Sequence, residues 1–518
     1  MSMRLPLLLG LASLVSLPAT AQTPAATADP GLAQRYQQTI TPAELAGHLY
    51  VYADDYMAGR ETGQPGQRFA SLYLAGQYQA MGVAPKGSGG AAGPYGLGRY
   101  LQPFTLERER LTALAVTAAR DGRPFVTSRA TATEPGAFAL VPVYGSVEDP
   151  SPAPVVAVAD GSDLAGLDLA GAYALLTPAE GTDLGAVARQ IGAAGARGVV
   201  VASAPTVDAL AGRTAAAFGG GRLALPPTEG EGNEDGGLPP IFLTGLDIAG
   251  LIADAGTTGD TGATLAVEAT VETETVATEN VIAVVEGSDP ALRDEYVVVS
   301  AHLDHVGDDG EGEDAIYNGA DDDGSGTVTL LEIAEAFQTA KEAGHGPRRS
   351  VLFLHVTGEE EGLLGSAYFT DREPLVPIES VAANLNIDMI GRYDPERGFE
   401  TTDYVYVIGG DLISQDIADW NAAVNDATGT GLLLSDRFNS PDDPNQFFRR
   451  SDHWNFGKYD VPFIFYFTGT HEDYHSVGDS ADKIDYDRMA RIARLVFGTA
   501  WEIANTDARP RVSGGGFN

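Results

Sequence analysis

The sequence contains no cysteine among its 518 residues. This absence excludes disulfide scaffolds, thiolate zinc sites and cysteine nucleophiles together. Any metal must therefore bind through histidine and carboxylate side chains. The sequence also lacks a G-x-S-x-G nucleophile elbow, which argues against a serine hydrolase.

Basic residues are few: Lys and Arg number 32 against 72 Asp and Glu, a formal net charge of -40, and only four of the 32 are Lys. An overall negative field repels nucleic-acid phosphates and anionic membrane surfaces, so we expect neither as a partner. The acidic excess favours solubility and cations; it fits either salty surroundings or a biased genomic composition. With 44% hydrophobic positions, the chain can form packed cores, and its length predicts roughly two to four domains.

The N-terminus has the pattern of a cleaved signal peptide over residues 1–21. Arg4 precedes an apolar run at 5–17, and an Ala-Thr-Ala triplet ends at Ala21, before Gln22. No other stretch approaches the ~20 apolar residues of a membrane span. We expect an exported protein, periplasmic or extracellular, that begins at Gln22 and has no membrane span. The alternative is an uncleaved anchor.

The chain then changes character three times. A loose lead-in rich in Ala, Thr and Pro at 22–40 is followed by two predicted helices, one opening at Thr41 with Glu44 at capping-box distance, and one over 67–81. Between about 120 and 275 the sequence is rich in Ala, Gly, Val and Thr and contains no His. Chemistry that needs histidine must therefore lie outside this block.

From residue 276 onwards, apolar strands alternate with helices, and polar residues follow the strands. Near-continuous Val, Ile, Leu and Phe runs indicate a sheet buried on both faces, hence an α/β sandwich. Functional groups of such sheets collect at the carboxyl ends of the strands. The residues found there are His302, Asp304, Glu359, Glu360, Glu361, Asp388, His471 and His475.

A glycine-rich turn, NGADDDGSG, adds Asp321, Asp322 and Asp323 just before a predicted helix. Any one of these clusters is explained by a hydrogen-bonded core His or a capping Asp, but their convergence from five segments suits a dication such as zinc. Two metals that share one carboxylate need about two His and three acidic ligands, with a further carboxylate to move a proton. His302, Asp322, Glu360, Asp388 and His475 fill that requirement, and Glu359 is left over.

These stretches resemble, in family order, the motifs of the secreted co-catalytic di-zinc aminopeptidases of the aminopeptidase Y type. That family is related to glutamate carboxypeptidase, the transferrin receptor and the glutaminyl cyclases. The matching motifs are SAHLDHVG, IYNGADDDGSG, TGEEEGLLGS, NIDMIG, RSDHWNFG and DYHSVGDS, together with ADDYMAGRETGQPGQ and LQPFTL nearer the N-terminus. The resemblance implies a three-layer α/β/α zinc-exopeptidase sandwich with a mixed sheet.

The resemblance also implies roles for individual residues. His302 and Asp388 would hold one zinc, Glu360 and His475 the other, and Asp322 would bridge the two. Asp304 would orient the His302 imidazole. Glu359 would act as general base, taking a proton from the metal-activated water and passing it to the leaving amine.

Other polar residues are expected to support the site. Glu361 is interpreted as a turn carboxylate, and Asp452 and His453 of the SDH motif as structural or substrate-positioning groups. His305, His355 and His471 are expected to be supporting or core residues. The acidic loop at 308–314 would offer calcium ligands, but it lacks EF-hand spacing, so a solvated loop is the preferred interpretation.

The sequence departs from the family pattern at one point. Some relatives place a Tyr shortly before the SDH motif as an oxyanion donor, whereas Phe448, Arg449 and Arg450 stand here. The hydroxyl of Tyr317, Tyr466 or Tyr474 would have to take its place.

The block at 120–275 resembles the protease-associated domain that many relatives carry as a β-rich α+β insertion. The predicted organisation is an N-terminal part of the peptidase domain at 41–119, the inserted domain, a zinc peptidase catalytic domain at 276–508 and a flexible tail at 509–518.

The function predicted from these motifs is a zinc aminopeptidase with two zinc ions per chain that hydrolyses N-terminal bonds of peptides. A di-zinc carboxypeptidase, dipeptidase or glutaminyl cyclase is the alternative, because Arg392, Arg449 and Arg450 are available to hold a substrate carboxylate. A non-catalytic binding ectodomain is a further alternative. The sequence does not determine the preferred side chain or the oligomeric state.

Overall fold

A computed structural model of the chain describes residues 30–91, 93–131, 137–140, 149–159, 164–179, 182–204, 221–228, 239–254, 257–310, 312, 314–440 and 442–513. The predicted signal peptide at 1–21 and the end of the predicted tail at 514–518 lie outside the described residues. Within these ranges, none of the helices combines the length and the apolar character that a bilayer crossing requires.

The helices are numbered in chain order. They are α1 (Pro30–Tyr36), α2 (Pro42–Tyr52), α3 (Pro65–Met81), α4 (Leu184–Ala193), α5 (Leu246–Ile252), α6 (Gly326–Glu342), α7 (Leu364–Ala367), α8 (Gly410–Ile413), α9 (Gln415–Thr428), α10 (His453–Gly457) and α11 (Tyr486–Asn505). The helices predicted near Thr41 and over 67–81 correspond to α2 and α3.

The strands form one mixed sheet. They are β1 (Ala84–Pro85), β2 (Leu101–Arg120), β3 (Arg123–Ala130), β4 (Phe138–Leu140), β5 (Ala153–Val158), β6 (Tyr173–Leu176), β7 (Gly198–Ala204), β8 (Arg222–Ala224), β9 (Ile241–Gly245), β10 (Gly259–Val285), β11 (Tyr296–His302), β12 (Ser350–Val356), β13 (Val381–Ile387), β14 (Tyr404–Gly409), β15 (Leu433–Ser435) and β16 (Phe463–Phe467). The main order is β15-β14-β16-β13-β11-β12-β10-β5-β6-β7-β9-β4.

The C-terminal half of the sheet is parallel at its centre. Strands β12, β11, β13 and β16 run parallel to one another, while β10 and β14 flank them in the antiparallel sense. Both faces are covered, since alternate residues of β11 enter different cores. Val297 and Val299 pack in the cluster that includes α6 and α11, whereas Val298 packs with Phe369 and Phe456 on the other face. The structure confirms the predicted α/β sandwich with a mixed sheet.

A long two-stranded arm connects this sheet to the Ala/Gly-rich block. Strands β2 and β10 pair antiparallel from Leu101 opposite Val281 to Arg120 opposite Ala263, and the first residues of β10 pair antiparallel with β5. Two buried apolar clusters lie wholly between residues 111 and 267. The predicted domain boundaries fall on this arm, and the inserted domain stays a prediction.

The predicted start of α2 is present in atomic detail. The backbone N–H of Glu44 donates to Thr41 Oγ1 at 3.2 Å, and that hydroxyl donates to the Glu44 carboxylate at 2.7 Å. These bonds satisfy helix-end groups that would otherwise lack partners.

The loose lead-in predicted for 22–40 is wrong over its second half. Helix α1 forms there, and Tyr36 and Ile40 are buried against the core. The Tyr36 ring packs on Trp501 with 6.0 Å between centroids, and its hydroxyl lies 2.6 Å from His345 Nδ1. The composition of the segment did not indicate that Tyr36 and Ile40 are buried, because their partners lie more than 300 residues away in the chain.

Candidate metal centre

The polar residues predicted to carry chemistry meet at one edge of the sheet. Strand β11 ends at His302, and the loops after β12, β13 and β16 contain Glu360, Asp388 and His475. Because these strands are parallel, their carboxyl ends lie side by side. Asp322 reaches the same edge from the turn before α6.

One group of potential metal ligands consists of His302, Asp322 and Asp388. His302 Nε2 lies 3.2 Å from Asp322 Oδ1 and 3.6 Å from Asp388 Oδ1. All three side chains are buried.

The other oxygen of Asp322 faces a second group. His475 Nε2 lies 3.1 Å from Asp322 Oδ2 and 3.0 Å from Glu360 Oε2. Asp322 therefore presents one oxygen to His302 and the other to His475. This is the placement that a carboxylate shared between two cations requires.

The second group of potential metal ligands consists of His305, Asp322 and Glu360. His475 contacts both carboxylates of this group, and His305 was expected only as a supporting or core residue. His305 Nδ1 lies 2.7 Å from Glu360 Oε1 and 3.8 Å from Asp322 Oδ2. The side chain is buried, and its Nε2 has no hydrogen-bond partner among the described residues. The spacing of His302 and His305 within HLDH was the only sequence signal for it.

Contacts between imidazoles and carboxylates shift the pKa values of this cluster in opposite directions. Burial by itself lowers the pKa of His475, but hydrogen bonds with Asp322 and Glu360 raise it to about 10. Burial opposes ionisation of Asp322, yet hydrogen bonds with His302 and His475 hold its pKa well below the usual range. Clustered buried carboxylates are costly unless a cation compensates them, and imidazole with carboxylate is a donor set that zinc prefers. The residues present fit zinc.

Glu359 lies beside the two groups but belongs to neither of them. Burial raises the pKa of Glu359 well above its ordinary value; the His302 charge opposes this, and the Asp388, Glu360 and Asp452 carboxylates add to it. A carboxyl group in such a place accepts a proton readily near neutral pH.

Asp304 contacts both His302 and the backbone of Glu359. Its Oδ1 lies 3.7 Å from His302 Nδ1 and accepts the Glu359 N–H at 3.3 Å. Its Oδ2 accepts a hydrogen bond from Thr62 Oγ1 at 2.8 Å. The Asp304 carbonyl oxygen lies closer to His302 Nδ1, at 3.2 Å, and orientation of the imidazole by the Asp304 carboxylate stays a prediction.

The neighbours of Asp322 hold the loops rather than the metal position. The Asp323 carboxylate accepts the N–H groups of His302 and Met389, each at 3.2 Å. Asp321 accepts the N–H groups of Gly391 and Arg392. Both carboxylates thus tie the turn to the loop that follows β13.

The Asp479 carboxylate also holds the turn that contains Asp321 and Asp322. Asp479 accepts the N–H groups of Asp321 and Asp322, each at 3.0 Å. His471 Nε2 lies 3.4 Å from Asp321 Oδ2, which agrees with its predicted supporting position. The sequence analysis did not single out Asp479, although it stands in the DYHSVGDS motif.

The ADDYMAGRETG segment closes the site from the N-terminal side. The buried Arg60 guanidinium donates to the carbonyl groups of Leu303, Asn318 and Gly319 at 3.2, 2.6 and 2.8 Å. Thr62 Oγ1 accepts the Gly358 N–H at 3.0 Å, in the loop that contains Glu359. Neither residue was predicted, because nothing local distinguishes a buried Arg or Thr from an exposed one.

His355 and His453 are core residues. His355 Nε2 lies 2.6 Å from the Tyr78 hydroxyl, and His453 Nε2 lies 2.9 Å from the Phe448 carbonyl oxygen. Burial lowers the pKa of both imidazoles to about 3, so they are neutral.

The other supporting residues lie outside the two metal-capable groups. Asp452 accepts a hydrogen bond from Ser366, and Glu361 is exposed. In the acidic loop at 308–314, Asp308 accepts the Gly310 N–H at 2.7 Å. Neither metal-capable group of the described residues includes this loop, of which Glu311 and Glu313 lie outside those residues.

A cleft of about 360 Å³ opens onto the cluster. Its lining combines carboxylates, an apolar wall and one arginine: Asp322, Glu359, Glu360, Asp388, Met389, Phe447, Arg450, Phe465, Phe467, Thr470 and Tyr474. Of the three tyrosines that could supply a hydroxyl, only Tyr474 lines this cleft. The Tyr466 hydroxyl bonds to Asn421 Oδ1 at 2.8 Å, and that of Tyr317 to Asp309 Oδ2 at 3.0 Å.

The chain is similar to known proteins over part of its length. A protein of Pyricularia oryzae named probable zinc metalloprotease is 30% identical over 266 residues, which are 45% of this chain and 51% of that protein. A probable leucine aminopeptidase of Arthroderma benhamiae is 31% identical over 223 residues, 42% of this chain and 56% of that protein. The chain thus spans about half the length of the curated relatives it matches.

The fold has a counterpart among solved structures. An aminopeptidase from Aneurinibacillus sp. strain AM-1 superposes with a TM-score of 0.55 at 18% identity, covering 93% of this chain and 97% of that one. Residues 280–500, which contain the proposed metal ligands, match the sequence profile of peptidase family M28. The part of the chain that contains these residues is therefore similar to peptidase family M28.

Proposed function

We propose that this protein is a zinc-dependent aminopeptidase that uses two zinc ions to hydrolyse N-terminal peptide bonds. The observation that carries the proposal is Asp322, whose two oxygens contact His302 and His475 beside Glu359, a half-buried carboxylate that belongs to neither metal-capable group. The names of the relatives, zinc metalloprotease and leucine aminopeptidase, support the same reaction class.

In this mechanism each zinc has its own ligands. His302 and Asp388 would hold one ion, Glu360 and His475 would hold the other, and His305 would offer a further imidazole beside Glu360. Asp322 would be the carboxylate that the two positions share. Bound zinc supplies Lewis-acid activation of a water molecule and of the peptide carbonyl.

Glu359 transfers the proton that hydrolysis requires. It accepts a proton from the attacking water and delivers it to the nitrogen of the leaving peptide, so it ends the cycle unprotonated. Its raised pKa suits both halves of this transfer. Asp304 keeps the Glu359 backbone and the His302 ring in place.

Tyr474 supplies the hydroxyl that the sequence lacks before the SDH motif. Its ring stacks on His475 with 3.9 Å between centroids, and it lines the cleft. Burial, with the carboxylates of Asp322, Glu360 and Asp388, raises the pKa of Tyr474, so the hydroxyl keeps its proton. A protonated phenol is able to donate to an oxyanion.

The cleft wall favours an apolar N-terminal side chain. Met389, Phe447, Phe465 and Phe467 form an apolar surface beside the carboxylates. Burying a Leu- or Phe-sized side chain there contributes roughly 1.5–3 kcal/mol.

Two further proposals concern parts of the chain outside the metal centre. The block at 120–275 is an inserted domain of the protease-associated type, carried by the β2–β10 arm and without a catalytic group. The chain is exported after cleavage before Gln22, which N-terminal sequencing of the secreted protein tests.

The test of the proposed function is hydrolysis of leucyl, phenylalanyl and glutamyl arylamides beside N-acetylated leucyl peptides. Cleavage of the free-amine substrates alone, lost with a chelator and restored by zinc, is the expected result. Glu359→Gln is the matched control: we expect it to keep two zincs per chain and to lose activity by more than about 100-fold. Cleavage of N-acetylated peptides alone would move the assignment to a carboxypeptidase. Zinc binding without any hydrolysis would favour a cyclase.

A further inference from the structure

Arg450 is the basic side chain that lines the catalytic cleft. It follows a short 3-10 helix, Phe447–Arg449, and its backbone N–H donates to the Phe447 carbonyl oxygen at 3.1 Å. The guanidinium lies 5.0 Å from the centre of the Phe447 ring, which also lines the cleft. The aromatic face therefore holds a positive charge at the cleft wall.

This charge has no internal counterion in the described part of the chain. No described carboxylate lies within 4.0 Å of the Arg450 guanidinium, although the chain carries 72 acidic residues. Arg392 differs, since it lies 3.0 Å from Asp473 and 3.4 Å from Glu472. The side chain of Arg450 is exposed, so it remains free to meet a ligand.

The neighbouring Arg449 provides a natural comparison. It has the same charge and lies one residue away, but its guanidinium covers the rings of Phe448 and Trp454, each at 5.0 Å, and it does not line the cleft. The two arginines affect the overall field of the molecule equally. Only Arg450 is placed to touch a molecule bound beside Glu359 and Glu360.

Charge in the loaded site favours an anionic ligand for Arg450. Four carboxylates line the cleft, those of Asp322, Glu359, Glu360 and Asp388, and two zinc ions would balance them. The guanidinium is then the uncompensated charge of the cleft. A carboxylate is the group in a peptide that pairs with a guanidinium through two parallel hydrogen bonds.

We propose, on the basis of the proposed function, that Arg450 binds a substrate carboxylate on the C-terminal side of the scissile bond. The preferred substrates are then short peptides with an apolar first residue on the aromatic wall and a carboxylate at Arg450. The terminal carboxylate of a dipeptide and an acidic side chain in the second position present the same chemistry.

The experiment compares two matched pairs of substrates on the full, zinc-loaded enzyme. Leu-Leu against Leu-Leu-amide isolates the terminal carboxylate, and Leu-Glu-amide against Leu-Gln-amide isolates a side-chain carboxylate. We expect Arg450→Gln to lower kcat/KM for the carboxylate member of one pair by about 10- to 100-fold, mainly through KM. The amide member should change by less than about threefold, and Arg450→Lys should restore part of the loss. The pair that responds identifies the source of the carboxylate.

Arg449→Gln is the control for charge, and zinc content with the thermal midpoint is the control for folding. Equal losses on all four substrates, or equal effects of the two arginine variants, would overturn the inference. Hydrolysis of leucyl arylamide by the wild-type enzyme distinguishes failure of the Arg450 inference from failure of the proposed function. If that substrate is cleaved but Arg450→Gln does not discriminate, this inference fails and the proposed function stands. If only N-acetylated Leu-Leu is cleaved, the proposed function fails. The inference then stands if Arg450→Gln lowers kcat/KM for that substrate more than Arg449→Gln does, and fails if the two variants lower it equally.

Discussion

Asp322 is the residue on which both metal-capable groups depend. Each of its oxygens faces a different imidazole, and no other described side chain belongs to both groups. Its backbone is held in turn by the Asp479 carboxylate. A neutral amide at this position would keep the shape of the side chain and lose one of the two anionic oxygens.

We therefore predict that Asp322→Asn removes zinc from both positions. Bound zinc, measured by emission spectroscopy after dialysis, should fall well below one ion per chain, and kcat/KM by more than about 100-fold, since even groups behind metal ligands typically contribute 10- to 100-fold. Asp309→Asn makes the same charge change away from the cleft and should retain the metal. Retention of both zincs by Asp322→Asn would contradict the bridging position.

Zinc affinity should rise with pH because imidazole must be neutral to bind a metal. Hydrogen bonds to carboxylates raise the pKa of His475 from 6.5 to about 10, so this group is protonated in the metal-free protein at neutral pH. The zinc dissociation constant, measured by competition with a chelator between about pH 6.5 and 8.5, should fall by up to tenfold per pH unit for each proton released. A pH-independent constant would show that His475 is not a ligand.

The same shift has a consequence for the metal-free fold. A raised pKa means that the folded state binds this proton more tightly than the unfolded chain. Its stabilising contribution is complete below the unfolded pKa near 6.5 and is lost as the pH rises through about 10. Metal-free protein should therefore be less stable above neutral pH, and zinc should offset that loss.

At the scale of elements, the site is a junction of loops whose positions are fixed by carboxylate-to-backbone hydrogen bonds. Asp323 joins the end of β11 to the loop after β13, and Asp321 bonds to the same loop two residues further along the chain. Asn280 adds a link from β10, because it accepts the Thr357 N–H and donates to the Gly365 carbonyl oxygen. The strands are rigid, and these links transmit their positions to the ligands.

Asp479→Asn tests this arrangement without touching a ligand. One Asp479 carboxylate oxygen accepts the N–H groups of both Asp321 and Asp322. The oxygen of an Asn amide is a weaker hydrogen-bond acceptor, and the amide nitrogen cannot accept a hydrogen bond. We predict a loss of about 1–3 kcal/mol in unfolding free energy and a 10- to 100-fold weaker zinc affinity. Thermal unfolding and chelator competition measure the two effects. Asp482→Asn, an exposed neighbour, should change neither; equal behaviour of the two variants would show that the turn needs no such anchor.

At the scale of the whole molecule, the long arm of β2 and β10 is the connection between the sandwich and the Ala/Gly-rich block. Leu111 pairs with Val271 midway along it. Near its base, Leu223 of β8 packs with Phe104, Leu106 and Val276. The separate buried clusters on either side of this point suggest that each side has its own core.

We predict that joining Leu111 to Val271 through an Asn-Gly turn gives a folded, active protein. The two residues are already paired across the arm, and Asn-Gly favours a tight hairpin. Loss of the Leu223 contact should cost about 1–3 kcal/mol, while zinc content stays at the wild-type value and leucyl arylamide hydrolysis stays within about tenfold. Circular dichroism, metal analysis and kinetics measure these outcomes. Insoluble or zinc-free protein would show that the sandwich requires the block.

Much of this molecule was readable from its sequence. Strands buried on both faces must be near-continuously apolar, so the polar residues that follow them, such as His302, Glu360 and Asp388, mark one edge of the sheet. The absence of cysteine limited the metal ligands to imidazole and carboxylate. Thr41 and Glu44 marked the start of α2, because capping is a local property of a few residues.

The tertiary structure decided what depends on direction and on distant contacts. Asp321, Asp322 and Asp323 are chemically equal in sequence, yet the backbone turns only Asp322 towards both imidazoles. His305 enters the cluster, and Arg60 supports it, through partners hundreds of residues away in the chain or in a different loop. Arg449 and Arg450 are adjacent and chemically alike, but only Arg450 lines the cleft. The Arg449 guanidinium packs on Phe448 and Trp454, whereas the Arg450 guanidinium packs on Phe447, which is part of the cleft wall.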